Sequence, residues 1–101
     1  MPAYMIISAK FTDRDAFING YGKAAAALVT QFGGRYVLRA PGVELLEGDF
    51  GNGASVVISE WPDKQTARTF WNSPEYAQVK KLRDGLAQCQ VLLVEGEWTG
   101  A

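Results

Sequence analysis

The 101-residue chain contains no histidine. That absence removes the commonest metal ligand, the commonest general base near neutral pH and the usual proximal haem ligand. Any chemistry must rest on carboxylates, Arg, Lys, Tyr, Ser or Cys. Cysteine is almost absent as well: Cys89 stands alone, so one chain can form no internal disulfide and no cysteine metal cluster. No metal and no cofactor is expected, and a reducing cytoplasm is the expected compartment. Neither sign of charge dominates, since ten Lys and Arg face eleven Asp and Glu for a net charge of −1. Such a chain has no long-range attraction for phosphate backbones or anionic lipid, so neither nucleic acid nor a membrane is an expected partner. No apolar run approaches the roughly 18 residues that a bilayer span requires. Met1-Pro2-Ala3-Tyr4 enters a strand-like run without the basic and apolar regions of a leader peptide, so export is not expected.

What remains is an ordinary globular composition, 48% hydrophobic and 21% charged. A chain of this length buries roughly two-thirds of its unfolded surface in one core, so residues 1–101 are expected to form a single domain. Tyr4 to Lys10 is short and apolar and reads as a first strand. From Asp13 onward, Phe17, Tyr21, Ala24, Ala25, Leu28 and Phe32 recur at spacings of three and four, which predicts one helix ending at Gly33-Gly34. Arg35 to Arg39 reads as a second strand, followed by a turn at Ala40-Pro41-Gly42-Val43 and an extended return over Glu44 to Gly48. Gly51-Asn52-Gly53 is a strong turn signal before a β-branched third strand, Ala54 to Trp61, which Pro62 stops. Asp63 caps a short helix carrying Ala67, Phe70 and Trp71, and Ser73-Pro74 starts another through Tyr76, Val79, Leu82 and Leu86. Cys89 to Glu97 reads as the last strand.

The order strand, helix, strand, strand, helix, strand is the split βαβ motif, an α+β ferredoxin-like sandwich with an antiparallel sheet and helices on one face. Ile6 with Ile7, Val56 with Val57 and Ile58, and Leu92 with Leu93 make the strands apolar on consecutive positions. Both sheet faces should therefore be buried, and a second copy of the chain is the simplest cover for the face without helices.

Four segments stand together in this order: Gly33-Gly34-Arg35-Tyr36 with Arg39, Glu44-Leu45-Leu46-Glu47-Gly48-Asp49-Phe50, Glu60-Trp61-Pro62, and Trp71-Asn72-Ser73-Pro74-Glu75-Tyr76 leading to Arg83. They resemble the domain-of-unknown-function family 1330, a bacterial branch of the dimeric α/β-barrel proteins. The resemblance runs from the first strand to Val94-Glu95-Gly96, with Phe50 and Trp61 standing where that family often shows other aromatics. It implies a homodimer whose sheets pack face to face, with a cleft between sheet and helices. It implies no established activity, because the wider superfamily includes cofactor-free monooxygenases, lactone isomerases and haem proteins.

Five residues are candidates for a ligand site. Trp71, Ser73 and Tyr76 meet where one helix ends and the next begins, and an aromatic wall beside a hydroxyl could hold a small ligand with an anionic or carbonyl oxygen. Ser73 is equally a helix cap, and Trp71 and Tyr76 are equally core. Arg83, seven residues after Tyr76, is either paired with a carboxylate such as Glu60 or aimed into the cleft. Arg39 lies four residues after Arg35 on one strand, so an unbroken strand points both to one side as a fork for a carboxylate, unless Glu47 and Asp49 pair with them. Glu95 and Glu97 read as solvated, and Cys89, without a flanking cation, as a small core residue. The favoured function is a homodimeric domain binding a small metabolite in the cleft, anionic if the arginines face it. The alternatives are a cofactor-independent, monooxygenase- or isomerase-like enzyme acting on a small carbonyl or aromatic compound, with Tyr76 or Glu60 as acid or base, and a purely structural dimer module.

Overall fold

The computed structural model describes residues 1–100. Its elements are β1 (Ala3–Phe11), α1 (Arg14–Phe17), a π-helical turn (Ile18–Gly22), α2 (Lys23–Gln31), β2 (Arg35–Ala40), β3 (Ser55–Trp61), α3 (Lys64–Trp71), α4 (Pro74–Lys80), a short 3₁₀ turn (Lys81–Arg83) and β4 (Ala87–Glu95). The strands form one antiparallel sheet in the order β2-β3-β1-β4, so the two central strands come from different halves of the chain. This is the α+β ferredoxin-like arrangement that the element order predicts.

Alternation along the strands assigns each residue to a face. Ala3, Met5, Ser59 and Trp61 are buried under the helices, with Phe17, Tyr21, Ala25, Leu28, Val29, Ala67, Phe70 and Tyr76 packed onto them. Trp61 is the largest fully buried side chain, and its indole N–H donates to Ser59 Oγ at 3.0 Å. The close approach of β2 to this ring explains Gly34, where a Cβ would stand 2.8 Å from Trp61 ring atoms. On the opposite face, Leu38, Ile58, Ile6 and Leu92 are register partners in one apolar row across all four strands. No described element of the chain covers that row, and Leu38 and Leu92 remain about half exposed.

Two expectations are corrected. The first helix is not one regular α-helix, because the Ile18–Gly22 segment widens to π geometry. Gly20 and Gly22 lie in that turn, and glycine holds α geometry weakly. The wider turn sets Phe17, Tyr21 and Ala25 four residues apart on one buried face, with Val29 continuing it. Glu44 to Gly48 does not return as a strand: Ala40 to Ser55 is spanned by a loop closed at its neck by Val43 N–H donating to Ala54 C=O and Gly53 N–H donating to Val43 C=O, both at 2.8 Å. Among the described residues the outer edge of β2 stays unpaired, and β2 is the edge strand on that side of the sheet. Asp63 and Ser73 cap α3 and α4 as predicted, accepting from Thr66 N at 2.7 Å and Tyr76 N at 3.0 Å. None of the described helices is long and apolar enough to cross a membrane.

Candidate functional site

Between the helix-covered face of the sheet and the α1–α2 segment lies a cleft of about 380 Å³. Its sheet side is built from alternate residues, Ile7, Ala9 and Phe11 of β1 and Ser55 and Val57 of β3, because only every second side chain of a strand faces the helices. Its helical side is Phe17, Ile18 and Tyr21, brought into line by the π turn. Aromatic edges close the walls, with Phe11 and Phe17 centroids 4.9 Å apart at 65° and Phe17 and Tyr21 centroids 5.0 Å apart at 45°. Arg14, Lys23 and Arg39 line the same cleft. No acidic residue does, and among the described residues the one ion pair is that of Arg35 with Glu60.

Arg39 reaches the cleft through a β-bulge. The register steps from Tyr36 opposite Ser59 to Leu38 opposite Ile58, leaving Val37 unpaired. That extra residue reverses the alternation, so Arg39 stands opposite Val57 on the helix-covered face while Arg35 stands opposite Glu60 on the other. The expectation of a two-arginine fork is therefore corrected. Arg39 lies over the Tyr36 ring, 5.0 Å from its centroid. Arg35 instead donates from Nε and Nη2 to Glu60 Oε1 at 2.8 and 2.6 Å, and the Tyr4 hydroxyl donates to Glu60 Oε2 at 2.9 Å. Those bonds, the Arg35 contact first, hold the Glu60 carboxyl below its usual range. Glu60 is thus engaged on the open face and does not face the cleft.

Behind Tyr21, its hydroxyl meets that of Tyr76 at 2.8 Å. The Arg83 guanidinium lies over the Tyr21 ring at 5.3 Å, and its buried Nη1 has no hydrogen-bond partner among the described residues. Pairing of Arg83 with Glu60 does not occur. Burial raises the phenols of Tyr21, Tyr76 and Tyr36, so all three are protonated hydrogen-bond donors near neutral pH.

Trp71 and Ser73 stand elsewhere, at the α3–α4 junction. The Ser73 hydroxyl donates to Phe70 C=O at 2.8 Å while accepting from Tyr76 N, so its one proton is committed within the α3–α4 junction. Trp71 is half-buried against Tyr76, its ring centroid 5.0 Å away, with Lys80 Nζ 4.9 Å above it. A shallow hollow beside this junction mixes Arg68 with Glu75 and has no converging charge. Of the five predicted residues, the structure places Arg39 in the cleft, sets Tyr76 and Arg83 one layer behind it through Tyr21, and leaves Trp71 and Ser73 apart. Phe11, Arg14, Lys23 and Tyr36 carried no site signal in the sequence, since it takes the bulge and the π turn to bring them together. Among the described residues, no three Asp, Glu or Cys side chains gather as a metal would require.

A model of the family described as a domain of unknown function, DUF1330, matches residues 2–97. The chain belongs to that family. No curated protein matches this DUF1330 chain. Among solved structures it is similar to the RPA0582 protein of unknown function from Rhodopseudomonas palustris, at 16% identity over 96% of this chain and 83% of that one, with a TM-score of 0.78. It also resembles SnoaB, a cofactor-independent oxygenase from Streptomyces nogalater, at 18% identity, 98% and 96% coverage and a TM-score of 0.69. A dimeric protein of unknown function and ferredoxin-like fold from Bacteroides fragilis matches at 14% identity, 94% and 96% coverage and a TM-score of 0.62. At these identities the likeness is one of fold.

Proposed function

We propose that this DUF1330 chain is a single-domain cytoplasmic protein that pairs into a homodimer and binds a small anionic metabolite in the cleft beneath α1 and α2. The observation that carries the ligand reading is the charge of the lining: Arg14, Lys23 and Arg39 converge on an otherwise apolar cleft without one acidic residue, in a chain whose net charge is −1. Three cations beside a low-dielectric wall favour an anion far more than the whole molecule does. Arg83, Tyr76 and Tyr21 form the layer that supports the cleft wall, and Trp71 and Ser73 hold Tyr76 in that layer.

The homodimer reading rests on the open face, where the row Leu38, Ile58, Ile6 and Leu92 leaves apolar surface in water, and on the dimeric neighbour of the same fold. Free Cys89 is the support for a reducing compartment. Native mass spectrometry of freshly purified protein should show twice the chain mass and a co-purified small acid. A panel of small anions should raise the melting temperature of the wild type and not of Arg39→Ala. If no anion raises it and nothing co-purifies, the ligand reading fails.

One observation favours a second reading, a cofactor-independent enzyme acting on a small carbonyl or aromatic compound. Tyr21 lines the cleft as a protonated phenol, and its hydroxyl shares a hydrogen bond with Tyr76 one layer behind, a relay that could pass a proton to a substrate reaching the Tyr21 hydroxyl. The neighbour SnoaB is a cofactor-independent oxygenase. Turnover of a bound compound that is lost in Tyr21→Phe with binding intact would favour this reading.

A further inference from the structure

We infer that the ligand of the cleft is a planar aryl carboxylate, and that Arg39, lying over the Tyr36 ring, is the residue that reads its carboxylate. This rests on the anion-binding reading above and narrows it to a chemical class. The guanidinium of Arg39 lies over the Tyr36 ring at 5.0 Å. A cation–π contact with the ring uses none of the guanidinium N–H groups as a hydrogen bond to a carboxylate. Those groups have no carboxylate partner among the described residues, although the exposed side chain stands on the cleft. The planar guanidinium fork matches the two oxygens of a carboxylate.

The rest of the lining specifies the body of the molecule. Ile7, Phe11, Phe17 and Val57 offer no donor or acceptor, so a sugar or polyol would bury hydroxyls without partners there. Phe11 packs edge-on against Phe17 at 4.9 Å and Tyr21 packs tilted against Phe17 at 5.0 Å, and an added ring continues that arrangement. The volume, about 380 Å³, lies near the lower end for small-molecule sites and suits one or two fused rings. Arg14 and Lys23, on either side of the π turn, attract the anion through space without imposing a geometry.

Isothermal titration calorimetry on the full chain tests this with 2-naphthoate, its neutral analogue 2-naphthamide, 1-naphthyl phosphate, citrate and glucose 6-phosphate. The expected result is one 2-naphthoate bound per chain, with 2-naphthamide and 1-naphthyl phosphate weaker by about tenfold or more, the scale of a lost or misfitted charge-assisted hydrogen bond. Arg39→Lys should weaken 2-naphthoate by about the same factor while leaving 2-naphthamide and the melting temperature unchanged, because lysine keeps the charge and loses the fork. Phe17→Leu should weaken 2-naphthoate and 2-naphthamide alike. Equal binding of 2-naphthoate and 2-naphthamide, tighter binding of the phosphate ester, or full affinity in Arg39→Lys would each overturn the inference. Binding of citrate or glucose 6-phosphate with 2-naphthoate silent would overturn the aryl class while the anion reading stands. Silence towards all four anions would remove both.

Discussion

The two faces of the sheet treat the same residue types in opposite ways. On the open face, Arg35 is tied to Glu60, Glu60 to Tyr4, and the Tyr4 hydroxyl accepts from Trp98 Nε1 at 2.9 Å, so charge and hydrogen bonding are closed locally. On the helix-covered face, Arg39 comes from the same strand and stacks on Tyr36 with no carboxylate beside it. One bulged residue, Val37, separates the two situations. A satisfied ion pair beside an apolar row is what an interface between proteins requires, whereas unpaired cations beside an apolar hollow are what a ligand completes. On the proposed reading, assembly belongs to the first face and binding to the second.

The sharpest way to break this comparison is Leu92→Asp, which sets a charge in the middle of the open apolar row. Leu92 is 58% exposed, so the single chain tolerates the change, and sedimentation at micromolar concentration should report the chain mass where the wild type reports its double. A dimer in the variant would move the interface elsewhere. Next in size is Trp61→Ala on the covered face, at 1% exposure, which should cost about 3–5 kcal/mol in urea unfolding. A cost near that of a surface change would contradict its place in the core.

The layer behind the cleft is tested by the two hydroxyls of Tyr21 and Tyr76. Tyr21→Phe or Tyr76→Phe alone strands a buried hydroxyl and should cost about 1–3 kcal/mol, whereas the double change removes both partners and should cost less than the sum. Additive losses in the cycle would show that the pair is not a bond. The smallest effect belongs to the exposed pair on the open face. Because Arg35 and Tyr4 depress the folded pKa of Glu60, its contribution is present above the unfolded value of about 4.3 and is lost as pH falls through the folded one. Stability should therefore drop more steeply on acidification below about pH 4.3 in the wild type than in Arg35→Gln, as read by urea midpoints. Parallel curves would mean that solvent screening has removed the interaction.

Local signals in the chain were strong wherever one residue acts on its neighbours. Asp63 before α3 and Ser73-Pro74 before α4 cap the helices they foreshadow, since capping is a bond to an amide three residues on. Periodicity and turn signals likewise foretold the order of strands and helices, which the sheet and its covering helices match. The site was far less legible. Trp71, Ser73 and Tyr76 stand out in sequence because they are close together, yet the first two serve the α3–α4 junction and the third faces Tyr21.

The sequence by itself determined the class of fold, the element order, the caps and the absence of histidine chemistry, because these follow from short-range periodicity and composition. The tertiary structure alone decided which cations face the cleft. Arg14 and Lys23 flank one π turn, and Arg39 joins them from β2 through one bulge. Each irregularity adds a single residue to a ladder or a turn, which rotates every later side chain yet leaves the pattern of apolar residues nearly unchanged.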